Sequence, residues 1–403
     1  MGSFLSVVDG LTNSPSIANV RKLTACIHGT PPTDDDLAYL ATILAHSGVV
    51  REPPELYTTA DLASTGGPSS LSTLVSPLYL RALGYRVPKL GVPGRPAGGI
   101  DVMAQIPGFR FRLNAVELDK VLRLSGYAHF LADNTFAPLD MKLFHLRQKI
   151  NAQAIPVLAI TSILSKKLAV GVSRVGLEVR VAPHGNLGST WEVARENANC
   201  FCRVSKLLGI DSIGILTDAR YPYQPYIGRG EALVALEQLF EGNAGPQLKN
   251  HFDLCFALAA STSRKPIRRR PTPKELEKAF ASHLQAQGSG LEAFRGAVKK
   301  IRSQPLFPLF AKRQGYVRID LGKLRTILGS VQAEHSSSRT PFPDPCGLVL
   351  QASPNEYVWK GDIIAQVRVE KRGWKKLERG LNKAFSIVDS KALHPYFEEV
   401  SCV

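Results

Sequence analysis

A chain of 403 residues with 44% apolar and 21% charged residues has ordinary globular composition and length enough for two or three buried cores. A formal net charge of +16 favours anionic small molecules, but the basic residues gather in 264–274 (RKPIRRRPTPK) and in the last forty residues, including Lys371, Arg372, Lys375 and Lys376. Neither tract interleaves aromatics at stacking intervals, so no nucleic-acid partner is expected. There is no apolar run of about eighteen residues, and MGSFLSVVDG lacks a basic stretch leading into a long apolar core, so a soluble cytoplasmic chain with no membrane partner is expected. Six cysteines, Cys26, Cys200, Cys202, Cys255, Cys346 and Cys402, lack paired chelate spacing, which predicts reduced thiols and no metal.

In chain order, 16–28 reads as a helix stopped by Gly29, Pro31 and Pro32, and Thr33-Asp34-Asp35-Asp36 caps a second helix over 34–46 that Gly48 ends. From 50 to 131 short strands alternate with helices, as a parallel sheet requires. A strand-like lead-in at Asp61 meets Ser64-Thr65-Gly66-Gly67, and an apolar helical run follows over 71–83. Glycines let a backbone approach a ligand, hydroxyls donate hydrogen bonds, and a helix start favours negative charge, so this is a way to build an anion site. A short strand at 85–90 and a second glycine cluster, Gly91 to Gly99, strengthen that reading. A helix over 113–124 and a strand over 128–131 come next. Residues 138–170 turn helical again, and there Ser162 and Lys166 are four apart on one helical face. On spacing alone these residues also describe a cationic helix surface.

Beyond 173 the reading is a strand at 176–181, a helix at 190–208, a strand at 212–217, and helices at 231–240 and 252–260. The basic Pro-rich loop follows, then a helical stretch over 273–302 and half-buried strands at 315–320, 346–350 and 358–365. His184, in Pro183-His184-Gly185-Asn186, lies on a loop that could approach a cleft.

Several of these stretches share a frame with known enzymes. Asp61-Leu62-Ala63-Ser64-Thr65-Gly66-Gly67, then Gly98-Gly99, then Ile106-Pro107-Gly108-Phe109, resemble the thymidine and pyrimidine-nucleoside phosphorylases, which carry Asp-Lys-His-Ser-Thr-Gly-Gly in the first position. Ala137-Pro138-Leu139-Asp140, Phe144, Arg147 and, fifteen residues after that arginine, Ser162-Ile163-Leu164-Ser165-Lys166-Lys167 match a second block of the same family. Glu178-Val179-Arg180-Val181 stands for its Asp-Val-Lys, and Ala235-Leu236-Glu237 for an element that holds a structural cation in some relatives, a role carried here to Glu237.

The resemblance implies an α/β protein with a small all-helical lobe, a larger mixed α/β lobe and a C-terminal hammerhead-like β domain. Residues 1–48 and 138–170 would form the helical, base-binding lobe, 50–131 and 173–305 the phosphate- and sugar-binding lobe, and 306–403 the C-terminal α+β domain. It further implies reversible phosphorolysis of a pyrimidine nucleoside to free base and pentose 1-phosphate by a pentosyltransferase, with phosphate as co-substrate, no other cofactor, and a homodimer. Arg147, Ser162 and Lys166 would be catalytic and hold the base together with Phe144. Ser64, Thr65, Gly66, Gly67, Thr73 and Arg95 would hold phosphate. The cations would stabilise the negative charge that develops on the base as the glycosidic bond breaks, and as cleft residues they would contribute little to stability.

Two reactive residues depart from the frame. Leu62 and Ala63 stand where the family has a phosphate-neutralising Lys and a base-facing His, Thr73 replaces a Ser, and the Thr after the second Gly-Gly is absent. Replacing that Lys by Leu removes a charge-assisted hydrogen bond of roughly 1.5–3 kcal/mol and would offer the anion an apolar contact instead. Three functions follow: a phosphorylase with a remodelled anion site, a phosphate-independent pyrimidine nucleoside or nucleotide hydrolase or glycosidase, or an inactive pyrimidine-binding protein.

Overall fold

A computed structural model of the chain describes residues 4–52, 57–64, 67–94 and 96–391, together with the backbone of 401–402. It begins with three helices, α1 (Phe4–Asn13), α2 (Ile17–Gly29) and α3 (Asp34–His46). Ser16 caps α2 by accepting from Asn19 N–H, and Thr33 forms a reciprocal box with Asp36 at the start of α3. Prolines 31 and 32 separate the two helices. The apolar faces of α1 to α3 meet Leu143 and Leu158 from further along the chain in one cluster that includes Val8, Leu11, Val20 and Leu40.

The central unit runs β1 (Ala60–Ser64), α4 (Ser72–Ala82), β2 (Val87–Gly91), α5 (Ile100–Met103), α6 (Ala115–Ser125), β3 (Tyr127–Leu131), α7 (Pro138–Lys149), α8 (Pro156–Ala169), β4 (Arg174–Val181), α9 (Trp191–Leu207) and β5 (Asp211–Asp218). The expected helical stretch over 138–170 is two helices, because Pro156 has no N–H for a preceding turn and serves instead as the first residue of α8. Strands β1, β4 and β5 pair in parallel, β2 pairs in parallel with β3, and a parallel bridge from Thr59 to Arg86 brings β2 alongside β1. The spatial order is therefore 3-2-1-4-5. The chain leaves β1 towards β2 on one side and leaves β4 towards β5 on the other, so the order reverses between β1 and β4. In open parallel sheets the crevice outside the carboxyl ends of the strands at such a reversal is where ligands bind.

After β5 come β6 (Tyr226–Ile227), α10 (Arg229–Glu241), α11 (Pro246–Thr262), α12 (Pro273–Ala286) and α13 (Leu291–Arg302), which cover the β1–α4 side of the sheet in a large apolar core. Gly288 and Gly290 separate α12 from α13, so the expected stretch over 273–302 is also two helices. The C-terminal part consists of β7 (Leu306–Phe310), β8 (Gly315–Ile319), α14 (Leu321–Glu334), β9 (Cys346–Leu350), β10 (Tyr357–Val358), β11 (Ile363–Val369), α15 (Lys371–Ala384) and β12 (Phe385–Val388) around a core of its own, and β13 (Ser401–Cys402) returns to pair with β5. Lys371, Arg372, Lys375 and Lys376 lie on α15, whose opposite face buries Leu377 and Leu381, so this basic tract is the outer face of an amphipathic helix. Among the described residues no helix is long and apolar enough to cross a membrane.

A buried ionic knot joins this part to α10. Arg368 on β11 is 1% exposed, and its guanidinium holds Glu231 of α10 at 2.6 Å and Asp344 at 2.8 Å. There is no spare volume around it, since a Cβ on Gly347 would lie 1.7 Å from a Glu231 carboxylate oxygen. Removing the arginine leaves two buried carboxylates without a cation, and breaking such a pair costs about 3–5 kcal/mol. Arg368→Met should therefore lower the urea midpoint by that free energy or split the transition in two. A single transition at the parental midpoint would contradict the role given to the knot.

Candidate active site

Asp61 sits at the centre of the molecule, fully buried on β1. Its carboxylate accepts from Lys89 Nζ of β2 at 3.0 Å, from Lys167 Nζ of α8 at 2.5 Å and from the Leu62 N–H at 2.8 Å. Burial opposes its charge, but the two ammonium groups outweigh that and hold the carboxyl below its ordinary value. One side of this hub leads to the helix pair α7–α8 and the other to the glycine turn after β1.

On the α7–α8 side, Lys166 Nζ donates to Asp140 and to the Ser162 Oγ at 2.8 Å and Ser162 carbonyl at 2.6 Å. Arg147 donates to the carbonyls of Ala152, Gln153 and Leu158, pinning the loop between the helices with three of its five N–H groups. Burial draws Lys166 below its ordinary value against the pull of Asp140, and draws Arg147 down to about 10, so Arg147 remains cationic at neutral pH. Phe144 is half-buried one helical turn before Arg147. The expectation that Arg147 and Lys166 are peripheral to packing is overturned, because they are only 6% and 7% exposed and each is tied into the scaffold.

On the other side, the ends of β1, β4 and β5 carry Ser64, Glu178, Arg180 and Thr217 around the first turn of α4. Ser72 Oγ donates to Glu178 at 2.6 Å, and Leu71 N–H donates to His251 Nε2 at 2.8 Å. His251 stacks on Tyr223, whose hydroxyl meets Thr217 at 2.8 Å. Gly67 is against Arg180, and Thr73 faces the second glycine cluster, where a Cβ on Gly99 would lie 2.4 Å from His129 and 3.4 Å from Thr73. Thr65, Gly66 and Arg95 lie outside the described residues.

Two features differ from the sequence-based expectation. Leu62 does not line the anion site: it is fully buried in the core, where a Cβ on Gly176 would lie 2.8 Å from its Cδ1. The second glycine cluster spends its donors internally, since the N–H groups of Gly94 and Gly98 bond the Asp101 carboxylate at 3.0 and 3.1 Å, and Arg229 secures that carboxylate from behind at 2.9 Å. Glu237 pairs with Arg302 at 2.7 Å, and no group of His, Cys, Asp or Glu among the described residues could hold a metal ion. His184 is half-buried beside Gly322 at the start of α14. Cys26, Cys200, Cys202, Cys255 and Cys346 are free thiols.

Glu178, Arg180, Tyr223 and His251 were not among the expected site residues. The pattern that could have found the first two is Glu178-Val179-Arg180 at the carboxyl end of a strand, where residues two apart point the same way.

No family model matches the chain. Pyrimidine-nucleoside phosphorylases of Staphylococcus aureus are 24% identical to it, over 94% of this chain and 91% of theirs in strain USA300 and over 91% and 88% in strain MSSA476. The chain is thus similar to pyrimidine-nucleoside phosphorylases along nearly its whole length. Among solved structures, anthranilate phosphoribosyltransferase from Thermus thermophilus has the same fold, with a TM-score of 0.53 at 13% identity over 74% of this chain and 94% of that one.

Three buried histidines give the fold a pH dependence, His129 being held well below its ordinary value by burial and by the nearby Lys89. Burial above all holds His251 down to about 3, with Glu178 pulling the other way, and burial holds His283 to about 3 despite its bond to the Tyr127 carbonyl. An unfolded imidazole titrates near 6.5, so the unfolded chain binds more protons below that pH and stability falls as pH drops from about 6.5 towards 3, by about 1.4 kcal/mol per histidine per pH unit. Urea unfolding at pH 7, 6 and 5 should show the midpoint constant above about 6.5 and falling below it. His283→Gln should flatten part of that slope, and a profile level down to pH 5 would contradict the neutral burial of these rings.

Proposed function

We propose that the chain is a pentosyltransferase that cleaves the N-glycosidic bond of a pyrimidine nucleoside, with phosphate as acceptor and free base and pentose 1-phosphate as products. The observation that carries this reading is the grouping of Arg147, Ser162 and Lys166 on α7 and α8, tied through Lys167 and Asp61 to the glycine turn at the reversal of strand order. The 24% identity to pyrimidine-nucleoside phosphorylases over nearly the whole chain supports it.

The chemistry runs from these residues. The base lies against α7–α8, where Ser162 and the two N–H groups of Arg147 left over from its scaffold bonds meet its carbonyls and ring nitrogen, while Lys166, whose three donors are taken by Asp140 and Ser162, acts through its charge. As C1′–N1 breaks, the electron pair stays on the base, and two cations fixed in a low-dielectric site stabilise it without reorganising. Asp140 holds the Lys166 ammonium in position. Phosphate attacks C1′ from the side of Ser64 and Gly67, with Thr73 on the first turn of α4. The chain acts on a soluble small molecule without a resident cofactor, in the cytoplasm, and as a homodimer.

A second reading rests on one specific observation. Leu62 gives β1 no cation at the turn, and Glu178 offsets Arg180, so the described charges there cancel. An enzyme of this build would release the base with water as acceptor, or would need an anionic group carried by the substrate.

Incubation of the pure protein with uridine, thymidine and cytidine, with and without phosphate, separates these readings by the appearance of base and of sugar phosphate. Lys166→Gln should lower turnover by about 10²-fold or more. Because it also leaves Asp140 unpaired in a buried site, it should lower the melting temperature, so the assay belongs below that of the variant, with circular dichroism as the check on folding. Parental turnover by folded Lys166→Gln protein would refute the base-site assignment.

A further inference from the structure

Arg180 is 2% exposed at the carboxyl end of β4, yet its hydrogen bonding is incomplete. Its guanidinium lies over the Tyr223 ring, 5.7 Å from the centroid, and Nη2 is 3.3 Å from both Ser72 Oγ and a Glu178 oxygen. Nε approaches the other Glu178 oxygen at 3.3 Å but off the line of a hydrogen bond, and both Nε and Nη1 are buried without a hydrogen-bond partner among the described residues. Buried arginine donors are rarely left unpaired, because the desolvation of an unmade hydrogen bond is uncompensated. Nη1 points at the glycine turn, since a Cβ on Gly67 would lie 2.6 Å from it. That contact also explains why position 67 is glycine.

Ser64 adds a hydroxyl at the same place. It stands opposite Glu178 in the β1–β4 register, and its buried Oγ lies against the Glu178 carboxylate and helps to hold that charge. Two guanidinium nitrogens and a hydroxyl therefore gather at the ends of β1 and β4, beside the start of α4 and at the point where the strand order reverses. All can donate, one carries positive charge, and the geometry asks for an acceptor with several oxygens.

We propose that Arg180 is the cation that binds the phosphate of the glycosyl-transfer reaction, with Ser64 Oγ as a second donor, so that the charge absent from Leu62 on β1 is supplied from β4. The assignment rests on the reading of the chain as a phosphorolytic enzyme. Glu178 gives it a distinctive consequence. The glutamate shares the guanidinium with the anion and opposes it, so it orients Arg180 and at the same time weakens phosphate binding. A purely structural Arg180–Glu178 pair would have no such coupling to phosphate.

The test is calorimetric titration of the full chain with inorganic phosphate and, separately, with uracil. Glu178→Gln should tighten phosphate binding by about tenfold, because it removes the competing charge while keeping a side chain of the same size. Arg180→Lys should weaken it, and Glu178→Gln combined with Arg180→Met, which leaves no buried charge unpaired, should abolish it with the fold intact by circular dichroism. Uracil affinity should stay at the parental value throughout, because α7–α8 is untouched. Phosphate binding that survives in the folded double variant, or that does not respond to Glu178→Gln, would overturn the assignment. So would a parent that binds uracil but no phosphate, and that result would leave the nucleoside reading standing with water as acceptor. Phosphate binding through Arg180 without uracil binding would instead keep this assignment and remove the nucleoside reading.

Discussion

The structure depends on one buried carboxylate. Asp61 binds an ammonium from β2 and another from α8 while its own strand pairs with β4, so three separately folded pieces of chain meet on two oxygens. Two lysines and one aspartate leave a net positive charge in the core, which is tolerable only because the ammonium groups have further acceptors: Lys89 also donates to the Leu62 carbonyl at 2.6 Å and Lys167 reaches the Leu90 carbonyl at 3.5 Å. The carboxylate is thus held ionised, and with it the relative position of the helix pair and the glycine turn. Any ligand that spans the two halves of the site has its span set here.

That geometry separates the work of the two halves. On α8, consecutive lysines have different tasks: Lys167 faces the hub and secures the helix, while Lys166 turns towards Asp140 and Ser162 between α7 and α8. On β1 and β4 the alternation of a strand does the same. Asp61 points to the hub, Leu62 into the core under α11, and Ser64 to the end of the sheet, while Glu178 and Arg180 share one face of β4. A lysine in place of Leu62 would start from within an apolar core, so charge at the turn is more cheaply carried by a residue already at the strand end.

Much of this was legible in the sequence where the determinants are local. The Thr33–Asp36 capping box, the start of α4 after the glycine turn, and the Ser162–Lys166 spacing are all settled within a turn or two of chain, and the structure agrees with each. The mixed α/β fold with its helical part and its C-terminal β part also follows from the alternation of strands and helices and from the family frame. What was not legible depends on distant partners. Nothing near Gly94 and Gly98 says that Asp101 will take their N–H groups, nor that Arg229, 128 residues further on, will hold it there. Nothing near Lys167 names Asp61, 106 residues earlier, and the burial of Arg147 and Lys166 comes from helices that pack over them. Helix α1 is not legible because its apolar face, Phe4, Val8 and Leu11, has no capping signal before it and finds its partners in a cluster with later helices.

The most direct test of phosphorolysis at this site is phosphorus NMR of the pure protein incubated with uridine and inorganic phosphate. The expected result is a growing pentose 1-phosphate resonance, matched mole for mole by loss of inorganic phosphate and release of uracil. An unchanged phosphate signal with uridine intact, under conditions where the protein is folded, would contradict it.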